Sequence, residues 1–343
     1  MAAPLVSVII PVYNPPIERL SACFESVLGQ NGVDKQVVVV DDGSKEDIAR
    51  FLDALEEEFP EITVIHQDNA GASVARNRGV AASKGDFVMF VDADDELLPG
   101  AIAQGLDACQ RSGADIVFGL MKAISSEAEK EQFSKECKTG ISYQTVSIDE
   151  LIKYHLIGRS KFGTVFKNSL GVVKVGPIAR LLRRDLALSV SFPEEVKVSE
   201  DTVWNVAVLQ KCKSAIVVND CWYLYWLLER SSVHRYRDKC DDEALAALSA
   251  LRSCLGDAGL QRYRNEYVAR CVGEMNRVAK TYSRSDCPLS QKEKRANLGK
   301  VYRGSIGCLG SRGITDFLEY PSITAKQFLC WAGLTPRLFK VIR

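Results

Sequence analysis

Three carboxylates close the run Phe90-Val91-Asp92-Ala93-Asp94-Asp95. The residues before them, Phe87 to Val91, are all apolar, which predicts a strand covered on both faces of a parallel sheet. Acids at the C-terminal end of such a strand sit on the edge where open α/β sheets bind ligands. Like charges this close repel unless they share a cation. Oxygen-only ligands favour Mg²⁺ or Mn²⁺, ions that keep water and substrate phosphates in their shells. A divalent ion gripping a diphosphate is the chemistry indicated; an acidic turn after a strand is the plainer alternative. A second acidic pair, Glu200-Asp201, precedes the amphipathic run Val203, Val206, Ala207 and Leu209. That predicts a place in the first turn of a helix, whose N–H groups keep a carboxylate ionised.

Other strand ends carry complementary groups. Val6 to Pro11 reads as a strand followed by Tyr13-Asn14, and Val37 to Val40 as a buried strand closed by Asp41-Asp42-Gly43-Ser44, a turn and helix-cap composition. An exposed aromatic ring can stack on a flat base, and a carboxylate can accept the imide N–H of uracil. Asn69-Ala70-Gly71 and Ala75-Arg76-Asn77-Arg78-Gly79 lead into the acidic strand, bringing Arg76 within reach of a base or phosphate. Neither a GxGxxG fingerprint nor a P-loop is present.

The elements that must position these groups alternate. Helices are predicted over Pro16 to Gln30, Ile48 to Phe59 and Ala72 to Ser83, and a third strand over Ile62 to Ile65. This β-α order predicts a parallel, right-handed, doubly wound sheet. Asp115 to Gly119 is another strand, and the charged, poorly periodic Ser125 to Tyr143 reads as an excursion or lid. Beyond Asp241 the pattern is helical, clearest over Ala244 to Leu255 and Gln261 to Tyr282. The expected division is 1–110 and 111–238 as two halves of an α/β domain, with 239–343 an appended helical region.

Lys+Arg and Asp+Glu both total 44, so no global field draws the chain to nucleic acid. Its eleven cysteines are scattered without a CxxC pair, which argues against a disulfide framework or a structural zinc and for a reducing cytosol. The start Met1-Ala2-Ala3-Pro4-Leu5 has no signal-peptide pattern, and no apolar run approaches the ~20 residues of a membrane span. The tail pairs Phe328, Trp331, Leu338 and Phe339 with Lys326, Arg337, Lys340 and Arg343. Such a composition suits a peripheral contact with the inner face of a membrane, or packing of a terminal helix.

Taken in order from Val6 to Pro99, these motifs resemble the family 2 glycosyltransferases of bacterial polysaccharide biosynthesis, which have the GT-A fold. The resemblance implies that Pro11 and Tyr13 line the nucleobase site and that Asp42 holds the base. Arg76 would contact the nucleotide, Asp92 the ribose or a metal-bound water, and Asp94 the Mn²⁺ or Mg²⁺ ion. Asp95 could join the metal or cap the helix after Pro99. The second half is similar in part. Pro177 to Leu186 looks like a family segment that usually carries a tryptophan and a lysine, here absent and replaced by Arg180. Phe192-Pro193-Glu194 and Glu200-Asp201 are similar to the family's Phe-Pro-Glu and Glu-Asp pair, in which the aspartate is the catalytic base. Trp222 to Trp226 and Arg230-Ser231-Ser232-Val233-His234 resemble an aromatic strand and its following loop, with His234 a candidate further metal ligand.

The resemblance thus implies an inverting, metal-dependent transfer of a sugar from a nucleotide-diphosphate donor, UDP-sugar for preference, to a carbohydrate or lipid-linked saccharide hydroxyl. Two alternatives stand beside it. A sugar-phosphate nucleotidyltransferase would carry a Gly-rich loop after the first strand, where this chain has Pro11-Val12-Tyr13-Asn14-Pro15-Pro16. A catalytically silent binding subunit would have lost Asp94 or the Glu-Asp pair.

Overall fold

The computed structural model describes residues 4–136, 142–157, 167–168, 171–173, 175–227 and 236–309. Aliphatic and β-branched runs form β1 (Leu5–Val12), β2 (Asp34–Asp41), β3 (Ile62–His66) and β4 (Phe87–Phe90), joined by α1 (Ile17–Leu28), α2 (Glu46–Glu58) and α3 (Ala72–Ala82). The four strands pair in parallel in the order β3-β2-β1-β4. Register fixes the working edge. Val12 pairs with Asp41 across β1–β2, and Ile9 with Phe90 across β1–β4. Tyr13, Asp42 and Asp92 therefore follow the C-terminal ends of three neighbouring strands.

Beyond β4 the sheet is mixed. Next come β5 (Glu96–Leu97), α4 (Ala101–Ser112), β6 (Ile116–Ile124), α5 (Glu127–Glu136), β7 (Tyr143–Val146) and α6 (Ile148–Ile157). Then follow β8 (Lys167–Asn168), β9 (Gly171–Val172), β10 (Arg180–Arg183), α7 (Arg184–Leu188), α8 (Glu200–Lys211) and β11 (Ala215–Trp226). β10 lies antiparallel between β4 and β6, while β11 runs parallel to β6. The long ladders are parallel, as expected of a doubly wound sheet with flanking helices, and the antiparallel additions are short.

One face of β1 (Val6, Val8, Ile10, Val12) is buried in a cluster with Leu20, Phe24 and Val27 of α1. The small residues of α3 allow a close approach to β1. A Cβ on Gly79 would lie 2.3 Å from Ile9 Cγ2, so only glycine lets α3 sit at this depth and carry Arg76 to the sheet edge.

Two local expectations change. Ser125 to Tyr143 is not simply an irregular excursion, since α5 forms within it and buries Phe133. The Asp41-Asp42-Gly43-Ser44 segment does not cap α2: the helix begins at Glu46 after Lys45, without a side-chain cap bond. Asp41 accepts from Ser44 N inside the turn, while Asp42 and the Ser44 hydroxyl are taken by distant partners described below.

Beyond β11 come α9 (Cys240–Arg262), kinked at Gly256 where φ is 64°, α10 (Arg264–Tyr282) and α11 (Gln291–Leu309). They bury Leu248, Leu251, Tyr267, Cys271, Met275, Val278, Leu298 and Val301. Two compact units contain the described residues. The first draws on Met1–Ile152, Ser160–Glu194 and Ala207–Leu228; the second on Lys153–Arg159, Glu195–Val206 and Glu229–Arg343. No described helix is long and apolar enough to cross a membrane.

Candidate active site

Tyr13 is 58% exposed, an unusual state for a large ring beside a buried strand. The chain around it is clasped to the β2–α2 loop: Asn14 N donates to Ser44 Oγ (3.1 Å), and Lys45 N donates to Asn14 Oδ1 (2.9 Å). Asn14 itself has φ 48°, a left-handed conformation that asparagine tolerates. Pro11 lies within β1, one residue before its last, Val12. The result is an aromatic face held out at the edge by a fixed loop.

Asp42 is buried and organises the opposite wall. Its Oδ1 accepts from Gln67 Nε2 (2.7 Å) and Ala70 N (2.8 Å), and its Oδ2 from Gly71 N (2.8 Å). The carboxylate thereby shapes the loop that starts α3. Asp41 accepts from Ser44 N (2.9 Å) and lies 2.8 Å from His66 Nδ1, while His66 Nε2 lies 2.9 Å from Asp53. Hydrogen bonding to Asp41 pushes the His66 pKa up, burial opposes it, and Asp53 adds to the rise. His66 is a residue for which the sequence offered no context; its partners lie far along the chain.

Arg76 is buried on α3 and donates through Nη2 to Asp92 Oδ1 (3.1 Å). Its guanidinium stands 5.4 Å from the Phe192 ring centre, and Phe192 meets Phe90 edge-on at 5.5 Å. Asn77 fixes the Phe-Pro-Glu segment: it donates to Phe192 O (3.0 Å) and Glu194 Oε1 (3.0 Å) and accepts from Phe192 N (2.7 Å). Arg76, Asp92 and Phe192 are thus brought together. Asn77 is a positioning group that the sequence showed only as part of a motif.

Asp94 is raised in pKa by burial and then by Asp92, with Arg19 pulling the other way. Asp95 turns inward. It neither caps α4, which begins at Ala101 after a left-handed Gly100, nor faces outward. Trp226 N donates to its Oδ1 (2.8 Å) and the Tyr223 hydroxyl to its Oδ2 (2.9 Å). Burial, reinforced by Asp92 and Asp94, pushes Asp95 up to about 9 against those bonds. The same Tyr223 oxygen accepts Asp92 N–H at 3.0 Å. Glu96 is held by Trp226 Nε1 (3.0 Å), Arg19 Nη1 (3.1 Å) and Lys130, while Arg19 stacks 3.9 Å over the Trp226 ring. The end of β11 is therefore bolted to the acidic turn. Tyr223, Trp226, Arg19 and Glu96 were legible only as core or surface residues, because their partners come from elements far apart in sequence.

The donor set suits a hard cation. Among the described residues no group of three or more potential ligands forms a closed cage, and Mg²⁺ in particular usually takes only one or two carboxylates plus water and phosphate oxygens. Repulsion that raises Asp94 would be relieved by such an ion. His234 and the loop around it lie outside the described residues, as does the 316–343 tail.

In the second unit Glu200 and Asp201 occupy the first turn of α8, as expected, with Asp201 half-buried. Arg180 is fully buried in β10, 4.7 Å from the Phe118 ring. Trp222 and Tyr223, of the aromatic strand, are fully buried as well.

A parallel β3-β2-β1-β4 half with an aromatic, two aspartates and an arginine at its C-terminal edge, continued by a mixed half, defines the GT-A class of fold. Crystal structures of S. aureus TarS 1-349 share it: one aligns at a TM-score of 0.65 with 16% identity, covering 96% of this chain and 87% of that one. The same TarS fragment in complex with UDP aligns at 0.63, with 16% identity and the same coverage of both chains. Residues 7–171 match the model of glycosyl transferase family 2. That match takes in the N-terminal part of the chain, just under half of its length. The uncharacterized glycosyltransferase YibD of Escherichia coli (strain K12) is 42% identical over 94 residues, 27% of each chain. Glycosyltransferase GlyG of Streptococcus pneumoniae serotype 4 is 26% identical over 222 residues, 64% of this chain and 70% of its own. The match to YibD thus takes in only about a quarter of that relative's length.

Proposed function

We propose that this protein transfers a sugar from a UDP-sugar to an acceptor hydroxyl with inversion at the anomeric carbon, in the assembly of a bacterial surface polysaccharide or glycolipid. The observation that carries this reading is the common edge at which exposed Tyr13, buried Asp42 and the Arg76–Asp92 pair follow adjacent parallel strands. That TarS has been crystallised with UDP and with UDP-GlcNAc supports a uridine donor. In this reading residues 1–110 serve the donor and 111–238 the acceptor, with 239–343 appended. The tail beyond residue 316 would make any peripheral contact with the inner membrane face.

Pro11 and Tyr13 bind the base by stacking, Asp42 orients it, and Arg76 contacts the nucleotide while holding Asp92 in place. Asp94, with Asp92 and His234, would hold Mn²⁺ or Mg²⁺, which when bound supplies Lewis-acid stabilisation of the diphosphate. Asp201 takes the acceptor hydroxyl proton, with Glu200 orienting it. The acceptor oxygen forms its bond to the anomeric carbon as the bond to the diphosphate breaks, and the diphosphate leaves with the electron pair. Base catalysis of this type is worth about 10²–10⁴-fold.

Donor hydrolysis across a panel of nucleotide sugars, with and without Mn²⁺, tests the reading. Turnover should be greatest with a UDP-sugar and vanish in excess chelator. Asp201→Asn should lower kcat by ~10²-fold or more with UDP affinity nearly unchanged. Full activity in EDTA, or tighter binding of GDP than UDP, would overturn the corresponding part.

A further inference from the structure

The helix that begins with Glu200 and Asp201 starts from a strained residue. Ser199 has φ 64°, a left-handed conformation disfavoured for any residue with a Cβ other than asparagine or aspartate. Its carbonyl accepts the first two amides of the turn, Thr202 N at 3.1 Å and Val203 N at 3.3 Å. The direction of that carbonyl therefore sets the direction of the first turn, and with it the direction of both acidic side chains.

The Ser199 side chain reaches a buried partner. Its hydroxyl donates to Glu274 Oε1 at 2.8 Å. Glu274 lies on α10, is 3% exposed, and is gripped by Arg270 Nη2 (2.9 Å) and Arg277 Nε (2.7 Å) from its own helix. Burial works against its charge, yet Arg270, Arg277 and the Ser199 hydroxyl together hold its carboxyl below the usual glutamate range. A buried carboxylate fixed on three sides is a rigid acceptor, and a rigid acceptor can sustain backbone strain where a solvated one would relax.

We propose that Glu274 is a positioning residue for sugar transfer, acting through Ser199 to aim Asp201. This gives the appended helices a part in catalysis, and it rests on the reading of Asp201 as the base. Misplacement of a reacting group by about 1 Å can cost on the order of 10²-fold in rate, so a loosened first turn has a measurable consequence.

The test uses the full chain. Ser199→Ala removes the hydroxyl and leaves the strained Cβ, so kcat should fall ~10-fold or more. The donor KM should be unchanged, and the Thr202 and Val203 amides should lose hydrogen-exchange protection. Ser199→Gly adopts a positive φ without the bond, and should recover most of both. Glu274→Leu, which offers no acceptor, should act like Ser199→Ala, and combining the two should add little. Wild-type kcat and protection in Ser199→Ala would overturn the inference, as would a Ser199→Gly enzyme no better than Ser199→Ala, or single effects that multiply in the double variant. Asp201→Asn separates the two readings. If it stays active while Ser199→Ala still unlocks the amides, the base assignment fails and the inference with it, leaving only a structural clasp. If it is inactive and Ser199→Ala is not, the inference alone fails.

Discussion

Removing the Tyr223 hydroxyl should weaken the acidic turn more than a lost surface hydrogen bond would. That oxygen accepts Asp92 N–H at 3.0 Å and donates to Asp95 Oδ2 at 2.9 Å, and both Tyr223 and Asp95 are fully buried. Tyr223→Phe keeps the ring and its packing while orphaning one donor and one acceptor. Each such group costs ~1–3 kcal/mol when water does not replace the partner, so the loss should be about 2–6 kcal/mol. For a unit of this size, that lowers the melting temperature by roughly 4–24 °C. Differential scanning calorimetry reads it directly, with urea unfolding as a second measure. Asp95→Asn provides the second corner of a double-mutant cycle: it retains an oxygen for Trp226 N–H and loses the second acceptor facing Tyr223. The pair should couple by ~1 kcal/mol or more. A Tyr223→Phe protein within ~0.5 kcal/mol of wild type, or additive single changes, would refute the claim that this hydroxyl ties β11 to the acidic turn.

Gly119→Ala should be strongly destabilising, because its Cβ would lie 2.1 Å from the fully buried Trp222 indole; overpacking of this kind costs ~1–3 kcal/mol or more, read as a fall in urea midpoint. The His66 pKa is raised in the folded state, chiefly by Asp41, so its contribution is fully present below the ordinary value of 6.5 and is lost as pH rises through the folded value. Stability of the wild type should therefore decline across that window more than stability of His66→Gln; parallel pH profiles would refute this. Asn77→Ala frees Phe192 and Glu194 from three bonds and should raise the UDP dissociation constant through Arg76, a change isothermal calorimetry would detect.

What the sequence determined is local or periodic. Continuous apolar runs announced β1, β2 and β4, and apolar periodicity announced α1 and the helical end of the chain. Because parallel strands joined by helices all point the same way, the residues after them had to share one edge. Tyr13, Asp42 and Asp92 were therefore legible as neighbours without coordinates, and so was Asp201 in the first turn of α8. The partners of each polar group were a different matter. Asp42 looked like part of a helix cap, but a loop 28 residues on offered backbone N–H groups that a buried carboxylate satisfies better than its own solvated turn. Asp95 does not cap α4, because Tyr223 and Trp226 arrive from a strand 128 to 131 residues away and take its oxygens. The α5 segment lacks an amphipathic pattern, and its ion pairs to Glu96 and Arg19 depend on chain brought in by the sheet. Periodicity is a property of consecutive residues and survives in the sequence. The pairing of a buried charge is decided by whichever donor the folded chain delivers, and only the tertiary structure holds that information.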